Sequence, residues 1–235
     1  MSVSHNPLRA NDIRFVDFSA SLTANDWSQP SLCTQWTNHE VLAHLVLGYR
    51  SSVSELAVGM FRHRGSFDRA NAALAAELAL QRDPTELIDE FAALIHCPRG
   101  IGRVFPRRLL LGDHIIHELD IGFALGRKPA IDVAALACVL NTQVRVPNPF
   151  VPAAALARGL NLAATDVDWT HGWGALTVTG GAAQLASVLA GRPWGLDQLS
   201  GAGVSELRSR LWIRRHITGV SRRRIHSRLS DPSGR

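Results

Sequence analysis

Apolar residues recur along the first 130 positions at helical spacing. Between positions 11 and 24 they fall at Ile13, Phe15, Val16, Phe18 and Leu22, a loose helical stripe. Positions 28–36, with Pro30 and Cys33, read as a loop. Thr37-Asn38-His39-Glu40 then has the form of a capping box, in which the threonine oxygen accepts an orphan N–H and the glutamate reaches back, with Trp36 before it and Val41 after it. The stripe Val41, Leu42, Leu45, Val46, Tyr49 and Val53 predicts one helix running on to about Met60. A further helix is predicted over 68–80. Asp83 and Pro84 open another as cap and first helical residue; it reaches about His96, where Cys97-Pro98-Arg99-Gly100 stops it. Pro106 precedes a helix over 107–125, closed by Gly126. Long helices on short connections predict an antiparallel bundle.

The pattern changes after Pro129. Positions 131–146 predict one more helix, and Pro147-Asn148-Pro149 marks a domain boundary. Beyond it, 160–164 and 175–179 are strand-like, separated by Asp166, Asp168, His171, Gly172 and Gly174, and Gly180-Gly181 leads into a helix over 182–190. A last helix is predicted over 206–217. The fold class is therefore α+β. A helical bundle domain spans 8–146, a small α+β domain 147–212, and a basic, flexible tail 213–235.

Composition narrows the function classes. Hydrophobic residues make up 46% and charged residues 19% of 235 positions, enough for a sizeable core. No apolar run reaches the roughly 18 residues that span a bilayer, and the first residues lack a signal-peptide core, so a cytoplasmic protein without a membrane partner is expected. Cys33, Cys97 and Cys138 are three and widely spaced, which fits a reducing compartment. The net charge of +5 misleads: from Arg208 onward nine arginines meet one acid, and the preceding 207 residues carry −3. A nucleic-acid partner is therefore not expected of the body of the protein, despite the basic end.

Chemistry concentrates in Gly112-Asp113-His114-Ile115-Ile116-His117-Glu118-Leu119-Asp120. Asp113 and His117 are four apart and share a helix face, so one metal ion could take a ligand from each. His114, three before His117, competes with Asp113, and spacing does not choose between them. Asp120 could orient His117 through its second nitrogen. Glu118 points elsewhere, toward solvent or another helix. A catalytic cation usually has three protein ligands. His44, in the apolar stripe of the earlier helix, is the candidate for the third; taken alone, such a histidine reads as a hydrogen-bonded core residue.

Ser31-Leu32-Cys33-Thr34-Gln35-Trp36-Thr37 followed by Val41-Leu42-Ala43-His44-Leu45 resembles the N-terminal signature of the mycothiol-dependent maleylpyruvate isomerase family, within the DinB-like four-helix bundle superfamily. Residues 112–121, with Ala124-Leu125-Gly126-Arg127, are similar to that family's second metal-binding helix. Arg158-Gly159-Leu160, Ala164 to Trp169, Val178-Thr179-Gly180, Leu189-Ala190-Gly191-Arg192 and Leu199-Ser200-Gly201 resemble its small α+β domain. The resemblance covers most of residues 10–212. It implies a DinB-like antiparallel four-helix bundle and a divalent metal, usually zinc, held by His44, Asp113 and His117, with His114 and Asp120 as second-shell or alternative ligands. Asp113 stands where the family commonly has glutamate. Arg192 is the counterpart of a catalytic arginine; its other reading is a helix C-terminal cap contact.

The activity so implied is that of an isomerase or S-transferase. The open metal position would bind the thiol of mycothiol and lower its pKa, and the thiolate would attack an electrophilic small molecule. Arg192 would pair with a substrate carboxylate. The alternative is a non-catalytic metal- or partner-binding protein that keeps the fold.

Overall fold

The computed structural model describes residues 6–34, 36–146 and 151–213. They divide after Thr142 into two compact units. The expected boundary at Pro147-Asn148-Pro149 and nearly all of the basic tail lie outside the described residues.

The first unit is helical. Helix α1 (Pro7–Ala20) starts four residues earlier than the apolar stripe suggests, because Asn6 caps it and Pro7 occupies the first turn. A short α2 (Ala24–Ser28) follows on a Thr23–Asp26 capping box. The single helix predicted from Thr37 to Met60 is two, α3 (Asn38–Arg50) and α4 (Val53–Arg62). Ser52 opens the second with its own capping box to Glu55. At the break, the carbonyls of Tyr49 and Ser51 accept from the amides of Arg99 and Ile101, both at 2.8 Å. The segment supplying those amides approaches so closely that a Cβ on Gly100, which has φ +49°, would lie 2.0 Å from the Ser51 oxygen.

Helices α5 (Phe67–Gln81), α6 (Pro84–His96) and α7 (Arg107–Ala124) complete the frame, with the predicted Asp83 cap and Pro84 start in place on α6. Helix α1 packs on α6 and α7, and α3 packs on α6 and α7, which closes a four-helix bundle. Helix α5 lies outside it against α3 and α4. Phe15, Leu42, Leu45, Phe91, Leu111, Ile115 and Leu119 fill the centre. Helix α7 ends at Gly126, whose φ of +65° provides the left-handed stop. Among the described residues no helix is long and apolar enough to cross a membrane.

Helix α8 (Val133–Arg145) runs across the division. In the second unit, α9 (Ala153–Ala157) leads into β1 (Leu160–Ala164), β2 (Thr170–His171) and β3 (Leu176–Gly180). Strand β1 is central, antiparallel to β2 and parallel to β3, with Leu162 opposite both His171 and Val178. The two-residue β2 is too short for a hydrophobic alternation to announce. Helix α10 (Ala182–Leu189) begins at a glycine with no capping side chain, and Asp166 takes that role by accepting from the Ala182 amide at 2.8 Å. A final helix covers 204–213. Its Arg210 donates to the Leu156 and Arg158 carbonyls, and Arg208 pairs with Asp197. These two arginines, counted with the tail by charge alone, are parts of this unit.

Candidate metal centre

His44 is placed by α3. The Thr37–Glu40 capping box closes reciprocally: Thr37 Oγ1 accepts from the Glu40 amide at 3.2 Å, and Glu40 Oε2 accepts from the Thr37 amide at 2.7 Å. Val41, Leu42, Leu45 and Val46 are fully buried and fix the rotation of the helix. That rotation leaves His44 at the edge of the core with 12% of its side chain exposed. Asp113 and His117 come from α7, one turn apart.

The three side chains converge. His44 Nε2 lies 3.3 Å from Asp113 Oδ2, and His117 Nε2 lies 3.6 Å from Asp113 Oδ1. One donor atom from each falls within a 4.8 Å cluster that could hold a metal ion. His44 Nε2 is buried and makes no hydrogen bond, despite its nearness to the carboxylate. A buried ring nitrogen left so is costly unless something else takes its lone pair.

The far side of each ring faces an oxygen. His44 Nδ1 is 3.2 Å from Asn71 Oδ1 on α5, and His117 Nδ1 is 3.2 Å from Asp120 Oδ2 on its own helix. Outer partners of this kind are what metal-binding histidines have. Burial works to raise the Asp113 pKa, but the facing His44 and His117 outweigh it and hold the carboxyl well below the usual range. Burial pushes the His117 pKa down, against the pull of Asp120 and Asp113, and so favours its neutral, ligating form. A deprotonated carboxylate and two imidazole nitrogens suit a divalent cation such as zinc.

Trp36 forms one wall. Its ring centroid is 5.0 Å from that of His44 and 5.8 Å from that of His117. The loop that carries it is tied to α7 by the Leu32 amide donating to the Asp120 carbonyl at 3.2 Å. The same loop brings Cys33 toward His117 and Asp120, a second group with ligand-type atoms within 4.8 Å. The sequence marks neither Asn71 nor Trp36 as a site residue, and it reads Cys33 only as one of three widely spaced thiols. Asn71 sits in an alanine-rich helix with no pattern to mark it.

His114 does not join the cluster. It is buried against α1, its Nδ1 2.8 Å from Asp12 Oδ1, and Tyr49 donates its hydroxyl to the other Asp12 oxygen. Burial lowers the His114 pKa, but Asp12 outweighs it and the net shift is upward. Glu118 is fully buried rather than solvated: it forms an interhelical ion pair with Arg14, Nη1 to Oε1 at 2.6 Å. Arg192 lies in the second unit, where its Nη1 donates to the Ala190 carbonyl at the end of α10, 2.8 Å away.

Comparisons with known proteins bear on the fold and on the N-terminal half of the chain. No curated protein matches the sequence. The crystal structure of a histidine-to-alanine mutant of the mycothiol-dependent maleylpyruvate isomerase aligns with a TM-score of 0.51 at 14% identity, covering 83% of this chain and 90% of that one. The unsubstituted form of that isomerase aligns with a TM-score of 0.47 over the same coverage and identity. At that identity the first likeness establishes the fold, a helical domain with a small α+β part. Residues 8–96, which carry His44, Asn71 and Trp36, match the family described as the mycothiol maleylpyruvate isomerase N-terminal domain. Over those residues the chain is similar to the mycothiol maleylpyruvate isomerase N-terminal domain family.

Proposed function

We propose that His44, Asp113 and His117 hold one divalent cation, zinc by its ligand chemistry, and that the chain is a thiol-dependent isomerase or S-transferase. Its cosubstrates would be mycothiol and an electrophilic small molecule. One observation carries the reading. Both imidazoles turn Nε2 toward the same carboxylate while an oxygen faces each Nδ1. The family match and the fold support the reaction class.

Three donors leave a tetrahedral ion one position short, and a cation there would lower the pKa of an arriving thiol and supply thiolate at neutral pH. The chain's own residues do the rest. Asp113 stays ionised and would offset half the charge of a divalent cation. Asp120 and Asn71 hold the rings in place. Trp36 shields the two rings on one side. Addition of the thiolate to a conjugated double bond would leave a single bond that can rotate, and expulsion of the same thiolate would return the isomer. If the new carbon–sulfur bond persists, the outcome is transfer.

Arg192 is proposed to pair with a substrate carboxylate. The family resemblance supports that role, and a guanidinium can pair bidentately with a carboxylate.

The test is metal analysis of the purified protein followed by mycothiol consumption with electrophilic substrates. About one cation per chain and thiol turnover that stops on chelation are expected. Metal without turnover would leave a binding protein and sink the enzyme reading. A protein that takes up no cation would sink the site. For Arg192→Ala, the expected change is a raised KM for carboxylate-bearing substrates with metal content intact.

A further inference from the structure

We infer that Asn71 is a positioning residue for the cation site: its side-chain carbonyl decides which nitrogen of His44 carries the proton and which faces the ion. The inference rests on the metal reading above. His44 Nδ1 and Asn71 Oδ1 are 3.2 Å apart, on α3 and α5, and the two residues are 27 positions apart in sequence. A neutral imidazole has one donor and one acceptor nitrogen, and a carbonyl oxygen only accepts. With Asn71 Oδ1 in place, Nδ1 is the donor and the lone pair falls on Nε2. That nitrogen faces Asp113 at 3.3 Å and has no hydrogen bond of its own. An amide turned the other way would put its NH2 against Nδ1, move the proton to Nε2 and remove the donor atom from the site.

Helix α5, which packs on both α3 and α4, turns small residues inward. Ala70 and Ala75 are fully buried, and a Cβ on Gly59 of α4 would meet Ala70 Cβ at 3.4 Å. The two imidazoles are thus oriented by different chemistries. His117 faces an anionic carboxylate, which also makes the ring a stronger donor; His44 faces a neutral amide, which only orients it.

The experiment compares full-length wild type, Asn71→Ala and Asn71→Asp. Each is titrated with zinc and with cobalt(II) against a competing chelator at pH 8, and the cobalt absorption spectrum is recorded. Alanine favours the helix, so the bundle should fold. Asn71→Ala is expected to weaken metal binding about 10–100-fold and to change the cobalt spectrum. Asn71→Asp, which restores an accepting oxygen, is expected to return affinity to within a few-fold of wild type. Binding by Asn71→Ala as tight as wild type would overturn the inference alone, as would an equal loss in both variants. A wild-type protein that binds neither ion would overturn the metal reading with it.

Discussion

His44 and His117 meet edge to face with their ring centroids 4.7 Å apart, although 73 positions separate them in the chain. Two imidazoles at that distance stand beside one carboxylate, and each keeps a buried nitrogen without a hydrogen bond, His44 Nε2 and His117 Nδ1. A cation between the three side chains would take the lone pair of His44 Nε2. His44→Ala and His117→Ala should therefore each weaken metal binding by more than the roughly 100-fold upper range for losing an orienting partner. Chelator competition measures it, and metal retained in both variants would refute the ligand assignment.

Acidity should act on the same site with a definite sign. His117 titrates below the ordinary histidine value of about 6.5, because burial outweighs the pull of Asp120 and Asp113. Its protonation therefore competes with metal only on the acid side of that value. Asp113 stays ionised well below it, so it does not limit binding over the same range. Zinc affinity should gain little from His117 deprotonation above about pH 6.5 and fall below it, with protons released on binding. Calorimetry in buffers of different ionisation enthalpy counts those protons.

Behind the site, Asp12 accepts from both Tyr49 and His114 with no exposure to solvent. Asp12→Ala leaves a buried hydroxyl and a buried imidazole without their acceptor. A loss of about 3–5 kcal/mol is expected in denaturant unfolding. The pH dependence has its own direction. A histidine whose pKa is raised on folding contributes stability that is fully present below about 6.5 and fades as pH rises through the higher folded value. Asp12→Asn should remove that component of the stability profile while leaving the metal ligands in place.

Trp36 offers an optical report. Its ring lies against both histidines, so a paramagnetic ion such as cobalt(II) between them should quench its emission. Six tryptophans contribute to the signal, and the quenched share should vanish in Trp36→Phe. Quenching that persists in that variant would place the ion elsewhere.

The break between α3 and α4 also has a measurable cost. A methyl on Gly100 would meet the Ser51 oxygen at 2.0 Å, in a conformation that L residues avoid. Gly100→Ala should lower stability by at least about 1 kcal/mol, visible in thermal melting.

Much of this architecture was legible in the sequence because it is local. The Thr37–Glu40 box, the Asp83–Pro84 start and the Gly126 stop are set by groups a few residues apart. The split at Ser51 was not legible, since the apolar stripe continues through it and the partners of the freed carbonyls come from residues 99–101. The candidate site behaved the same way. Spacing on α7 admits Asp113 or His114 beside His117, because both lie within one turn. What separates them is Asp12, about a hundred residues earlier, which holds His114 on the opposite side. Asn71 gave no sign at all: its relation to His44 exists only once α5 lies against α3.

Helix α7 presents polar groups in several directions, and each is engaged: Asp113 and His117 toward His44, His114 toward Asp12, Glu118 toward Arg14. It works like a key cut on more than one edge. A single inserted residue ahead of Asp113 would turn every downstream group by about 100° and strand several buried charges at once. The helix therefore has one allowed register. The connection at residues 63–66 is exposed at Arg64 and Gly65 and holds no buried charge, and length changes in this protein should be better tolerated there than in α7.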